Sequence, residues 1–146
     1  MKKISLSLVL IMLVLTFAAT VTHAAPNVVE RPNIKIIIDG KTGTYEDVPI
    51  IVNDSSMLPL RALLTNLGVK NDDQHIIWNS KDRSVTILHE IIKDNKPKPV
   101  KVILKIDSDT AYINETAVKL DAPAVIYKDK TYIPTRFVAQ SLGKKV

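Results

Sequence analysis

Hydrophobic and polar positions change period several times along this chain, and each change marks an element. Residues 34–39 are rich in β-branched side chains and end at Gly40, which predicts a strand closed by a turn. Asp47-Val48-Pro49 opens a second short strand over 50–52, and Asn53-Asp54-Ser55-Ser56 reads as a polar turn. The period then becomes helical: Leu60, Leu63, Leu64 and Leu67 fall on one stripe. Pro59 fits the first helical position, where a missing N–H costs nothing, and Gly68 fits a left-handed C-terminal cap. Leu58 then falls at the N-cap, with no side-chain acceptor for the first-turn amides.

Beyond a polar loop at 71–74, the apolar runs 76–78 and 85–88 flank the polar stretch 79–83, the pattern of a hairpin. Residues 93–99 (KDNKPKP) read as a basic loop broken by prolines. Val100, Val102, Leu104 and Ile106 alternate with Lys101, Ile103 and Lys105, a strand burying one face. Asp107-Ser108-Asp109 turns the chain into a further strand at 111–114.

The first half then recurs. Pro59, Arg61, Leu67 and Gly68 reappear 75 positions later as Pro134, Arg136, Leu142 and Gly143. Asp47-Val48-Pro49 reappears as Asp121-Ala122-Pro123 at an offset of 74, so the turn at 127–130 is expected to be one residue longer than its counterpart. Val138, Ala139 and Leu142 take the stripe positions of a second helix, again with an apolar N-cap residue, Ile133. After Gly143 only Lys144-Lys145-Val146 remain, where the first copy continues to Trp78 and its hairpin. A last hairpin is therefore expected to be missing, either discarded or lying in a longer protein.

The start of the chain has a different pattern. Lys2 and Lys3 precede an almost unbroken apolar run over 4–19, and Thr22-His23-Ala24-Ala25 supplies small residues for cleavage after Ala24. Residues 1–24 read as a signal peptide, 25–33 as a lead-in linker and 34–146 as one domain. The alternative, an uncleaved anchor, is disfavoured by the short run and the lack of a basic flank after it. No membrane span remains after cleavage. Secreted or cell-surface localisation follows, with association to the cell wall.

Composition narrows the chemistry. There is no cysteine, so a lipid-modified cysteine and a disulfide framework are both excluded. A chain of roughly 120 residues after cleavage buries about two-thirds of its unfolded surface, enough for a core without cross-links. Net charge is +5, or +3 without Lys2 and Lys3. That suits wall polyanions or a membrane surface. Dispersed lysines and few aromatics argue against nucleic acid. The expected partners are cell-wall polymers or another extracytoplasmic protein.

The residues held in both copies are proline, arginine, glycine and aliphatics, none of them a nucleophile, base or metal ligand. Arg61 and Arg136 read as helix anchors rather than anion sites, each expected to pair with the carboxylate of its own half, Asp47 and Asp121. His75 and His89 stand 14 positions apart with no third histidine beyond the cleavage site, short of a copper site. The lysines at 93, 96, 98, 101 and 105 read as a solvated loop and strand face, with wall polyanions as the functional alternative. Trp78, Tyr112, Tyr127, Tyr132 and Phe137 read as core rather than a sugar platform. No Gly-rich phosphate loop, His-Glu zinc motif or nucleophile setting is present in the sequence.

The paired apolar-Pro-x-Arg elements, the Leu-Gly helix ends, the Ile77-Trp78-Asn79 strand and the Asp-x-Pro openings together resemble the copper amine oxidase N-terminal domain. This is the stalk module of many secreted and surface proteins of Gram-positive bacteria. The resemblance covers residues 34–146. It implies an appendage rather than an oxidase, since copper and quinone chemistry belong to a separate domain of those enzymes. Two departures stand out: a longer polar loop before Trp78, and no aromatic strand after the second helix. The expectation is an α+β fold: a single domain of two half-repeats, with antiparallel strands packed on two short helices. It is read as a non-enzymatic structural or interaction module without cofactor or metal. Alternatively, it is an accessory domain of a truncated wall-active enzyme, or a module that itself binds wall polyanions or peptidoglycan. Asp47, Pro59, Arg61, Gly68, Trp78, Asp121, Pro134, Arg136 and Gly143 are its structural residues.

Overall fold

A computed structural model describes residues 24–146; of the proposed signal peptide, all but Ala24 lies outside the described residues. The described chain is mostly antiparallel β-structure with two short helices, an α+β fold. The strands are β1 (Val28–Glu30), β2 (Ile37–Ile38), β3 (Lys41–Thr42), β4 (Ile50–Val52) and β5 (Ser55–Pro59). After helix α1 (Leu60–Asn66) come β6 (Ile76–Asn79), β7 (Ser84–Lys93), β8 (Lys96–Lys105), β9 (Thr110–Ile113) and β10 (Thr116–Lys119). The chain closes with β11 (Val125–Tyr127), β12 (Lys130–Pro134) and α2 (Thr135–Ser141). One five-stranded sheet runs β1-β4-β5-β12-β11; the other is the meander β10-β9-β8-β7-β6.

The β4–β5–α1 and β11–β12–α2 segments share one geometry. Ile50 pairs with Met57 as Val125 pairs with Tyr132, and Val52 with Ser55 as Tyr127 with Lys130. Both hairpins turn in two residues with positive φ, Asn53-Asp54 and Lys128-Asp129, the mirror-image turn that suits strand twist. The longer turn expected at 127–130 is therefore absent. The extra residue is Ala124, which stands between Pro123 and β11. It makes a parallel bridge to Ile106, and its carbonyl accepts from Asp107 N–H at 2.8 Å. The insertion is thus used to couple the end of β8 to the first sheet.

The two prolines sit one position earlier than expected. Pro59 and Pro134 are N-caps, with ψ 131° and 110°, and end their strands. In the β5–β12 pair Leu58 faces Ile133, while Met57 faces Pro134 and Pro59 faces Tyr132. Counting the alternation from the hairpin turns makes Leu58–Ile133 the hydrogen-bonded pair, and both prolines fall where no N–H is needed. The helix starts carry no side-chain cap. Their ends are full Schellman closures. At α1, Val69 N–H bonds Leu64 at 2.9 Å and Gly68 N–H bonds Thr65 at 3.0 Å. At α2, Lys144 bonds Ala139 and Gly143 bonds Gln140 at the same distances.

The largest departure from the sequence reading is at 93–99. These residues form no loop: β7 and β8 make a ten-residue hairpin turning at Asp94-Asn95, both with positive φ. Pro97 and Pro99 face Ile92 and Glu90 at positions whose N–H would point away from β7. β9 pairs with β8 only from Val102 onward, so those missing donors lie on a free edge. The two prolines cost the ladder nothing and also block that edge from pairing. The distal half of the hairpin is thus a two-stranded arm. The lead-in also carries structure, since Val28–Glu30 pairs with β4. β10, over 116–119, has no counterpart in the sequence reading; it closes the meander through a turn at Asn114-Glu115.

Two cores result. The larger joins the inner face of the meander to both helix stripes, Leu63, Leu64, Val138 and Ala139, and to Leu58 and Ile133. The smaller lies against the opposite face of the first sheet, around Ile50, Val52, Met57, Val125 and Tyr132. That sheet is rolled until its edge strands meet: Glu30 of β1 accepts from Tyr127 Oη at 3.0 Å and pairs with Lys128. The β2–β3 hairpin is fastened to the segment after α2 by Asp39, whose N–H donates to Lys145 O and whose carboxylate accepts from Lys145 N–H, both at 3.0 Å.

Candidate functional site

A concavity of about 920 Å³ opens where the arm leaves the meander. Its apolar wall is Leu88, Pro99 and Val100, and its polar rim carries His75, His89, Glu90, Lys70, Lys101 and Glu115. The position of each side chain follows from strand pairing. Leu88 N–H donates to His75 O at 2.8 Å, extending the β6–β7 ladder by one rung. This brings the two histidines, 14 apart in sequence, to one groove. Lys101 N–H donates to Asn114 Oδ1 at 2.8 Å, fixing the opposite rim.

The two histidines differ in electrostatics. His75 Nδ1 lies 2.6 Å from Asp72 Oδ1, and that contact holds the Asp72 carboxyl below its ordinary range. Burial pushes His89 below its ordinary value, helped by the nearby positive charges of Lys144 and His75 and opposed by Glu90. His89 is thus inclined to be neutral. Among the described residues no three His, Cys, Asp or Glu side chains converge on a point that could hold a metal ion. A groove with an apolar wall, lysines, amides and separated carboxylates can bind a polar chain, but it presents no nucleophile with an adjacent base.

The residues singled out by the repeat lie elsewhere and are spread through the scaffold. Gly68 and Gly143 have φ +87° and +76° and close the two helices. Gly68 also lines the groove. The expected arginine pairings do not form. Arg61 reaches the loop after its own helix, with Nη1 2.5 Å from Asn71 Oδ1 and Nη2 3.6 Å from Asp73. Asp47 instead holds Lys130 Nζ at 2.5 Å. Arg136 and Asp121 line one small cavity of about 260 Å³ with Asp54 and Gln140, but no ion pair joins them. The physical reason is exposure: both arginines lie on the exposed side of seven-residue helices whose buried residues are Leu60, Leu63 and Leu64 in one and Thr135, Val138 and Ala139 in the other.

The aromatics divide. Tyr132 is buried and Tyr127 packs edge-to-face against it, 5.9 Å between centroids. Tyr112 and Trp78 are each 43% exposed, outside the core that was expected to hold them. Tyr112 alternates outward on β9, and Trp78 lies on β6, an edge strand of the meander. The groove was not legible beforehand because its rim comes from residues in separate strands whose register the sequence does not show. The single advance signal was the Asn-Glu pair at 114–115, which marks a tight turn.

A family model described as copper amine oxidase N-terminal domain matches residues 37–146, well over half of the chain. No curated protein and no solved structure matches it.

Proposed function

The chain belongs to the copper amine oxidase N-terminal domain family, and we propose that it acts as a non-catalytic, exported structural or interaction module. The observation that carries this reading is the use made of the repeated residues. Pro59 and Pro134 are strand ends and helix starts, Gly68 and Gly143 are helix stops, and Arg61 staples a surface loop. Nothing that recurs is spent on chemistry. Within this proposal the domain is two half-repeats, 75 residues apart, supported by the identical hairpin registers of β4–β5 and β11–β12. Export rests on the basic start and the apolar run over 4–19.

A second reading has a specific observation in its favour. Lys70 and Lys101 on the rim of the groove have no ion-pair partner among the described residues, which suits an anionic wall polymer laid across Leu88 and Pro99. Pull-down with purified cell wall, with and without its anionic polymer, separates the two readings. Retention that vanishes in Lys70→Glu/Lys101→Glu supports the polymer. Fractionation of the culture into medium, wall and cytoplasm tests export; a chain found only in the cytoplasm with residues 1–24 intact would overturn it.

A further inference from the structure

Cross-strand partners share a face, so the β6–β10 register sorts the meander into two sides. The inner side, with Ile87, Val102 and Leu104 fully buried, packs on the helices. The outer side carries one row across all five strands: Ile77, Thr86, Ile103, Tyr112 and Ala117. Toward the arm that side continues through Leu88 and Pro99 to the rung Ile92–Pro97. Ile77, Tyr112 and Ile92 are 39%, 43% and 72% exposed. An apolar strip therefore runs the width of the sheet and out along the arm, and among the described residues no element is laid over it.

The charges on this side are set among the apolar side chains. Lys101, Lys105 and Lys119 alternate outward with the same parity, and none of them makes an ion pair among the described residues. Glu90 is a carboxylate on the same strip, and Glu115 stands on the rim of the groove that Leu88, Pro99 and Lys101 line. Long lysine stems can lie along apolar surface while the ammonium reaches a polar layer. Tyrosine, with an apolar ring and a polar tip, is suited to the same boundary. The chain also enters the fold at the Lys105 end of this side. Ala24, Ala25 and Pro26 line one cavity with Lys105.

The geometry points to the outer face of the meander and its arm as a docking surface for an anionic phospholipid bilayer. The apolar strip meets the acyl boundary, and Lys101, Lys105 and Lys119 meet the headgroup phosphates. The contact is peripheral; no described helix is long and apolar enough to cross a membrane. Attraction scales with apolar area plus charge, so neither part alone gives stable attachment. A soluble acidic protein would satisfy the lysines but leave the strip from Ile77 to Ile92 without a matching requirement. This inference rests on the exported reading above, which the culture fractionation tests by itself.

The test places a reporter on the face. Trp78 is the single tryptophan of the chain, so the full chain carrying Trp78→Phe and Tyr112→Trp reports from the strip alone. With brominated vesicles rich in phosphatidylglycerol, emission from position 112 should be quenched, and pure phosphatidylcholine should quench far less. Each lysine near an anionic surface is worth about fivefold in partition, so Lys101→Glu/Lys105→Glu/Lys119→Glu should weaken binding at least about 100-fold. Ile92→Ser should weaken it with the charges intact. Circular dichroism and melting show that each variant is folded. Co-sedimentation without quenching would mean that only the leading apolar run binds, and would overturn the inference. Unchanged quenching in the triple variant would overturn it too. So would absent vesicle binding alongside tight, lysine-dependent binding to polyglutamate, which would assign the face to an acidic protein.

Discussion

Leu58 and Ile133 lie directly opposite one another on β5 and β12, both fully buried, and each occupies the other's position when the chain is shifted by 75 residues. This pair joins the two hairpin–helix segments at a point equivalent in both. Leu58→Ala should cost about 2–5 kcal/mol and Ile133→Val about 0.5–1.5 kcal/mol. Because the side chains touch, the double variant should depart from the sum by at least about 0.5 kcal/mol. Urea denaturation of the four proteins measures this.

The two Schellman glycines predict a strain effect without a clash. A Cβ added at Gly68 meets nothing within 4 Å, yet φ is +87°. Gly68→Ala should therefore destabilise by about 1–2 kcal/mol through backbone conformation alone. Gly68→Asn, which tolerates the left-handed region better, should cost less. Equal melting temperatures for the two variants would contradict this account.

Thr135 takes the place that Leu60 holds in the first helix, fully buried, and its hydroxyl has no hydrogen-bond partner among the described residues. Thr135→Val keeps the shape and removes the orphaned group. It should stabilise the fold by about 1–2 kcal/mol. Thermal melting should show a rise of a few degrees, and a fall would mean that the hydroxyl has a partner in solution.

Titration should reveal two windows. His89 is held below its ordinary value of 6.5 by burial first and by Lys144 and His75 next. A histidine depressed on folding favours the neutral form, so its contribution is present above its unfolded value and is lost as pH falls through the folded one. Glu30, held down by Lys128 and Tyr127, and Asp39, held down by the Lys145 amide and by Lys144, lose their contributions at lower pH, as pH falls through the ordinary carboxylate range and below it. Melting temperature should fall first on acidification past the histidine range and again in the carboxylate range. His89→Gln should flatten only the first step.

Arg61 is half exposed and bound to a surface loop. Arg61→Ala should cost no more than about 1 kcal/mol. A double-mutant cycle with Asp47→Ala should show no coupling, whereas Asp73→Ala should show a small one that salt removes.

What the sequence made legible was local: the two leucine-type stripes, the left-handed glycines and the 76–88 hairpin all depend on residues within a few positions of one another. The failures have a common cause. Pro97 and Pro99 read as breakers because the side of the ladder on which a proline nitrogen falls is set by register, and that register is fixed by the turn at Asp94-Asn95. Val28–Glu30 has no period of its own and becomes a strand only because β4 offers an edge. The arginine partners were misassigned because recurrence in sequence implied proximity within each half. In the folded chain Asp47 meets Lys130, 83 residues away. The groove at His75 and His89 was hidden for the same reason.

Five two-residue turns among the described residues, Asp39-Gly40, Asn53-Asp54, Asp94-Asn95, Asn114-Glu115 and Lys128-Asp129, bear on the order in which the chain assembles. The meander needs only contacts between neighbours in sequence, so its loop-closure cost is small and it can form early. The rolled sheet cannot close until Leu58 finds Ile133 and Glu30 finds Lys128, 98 residues away. Folding should therefore run from the middle of the chain outward. In pulse-labelled hydrogen exchange, amides of β7 and β8 should gain protection before those of β5 and β12.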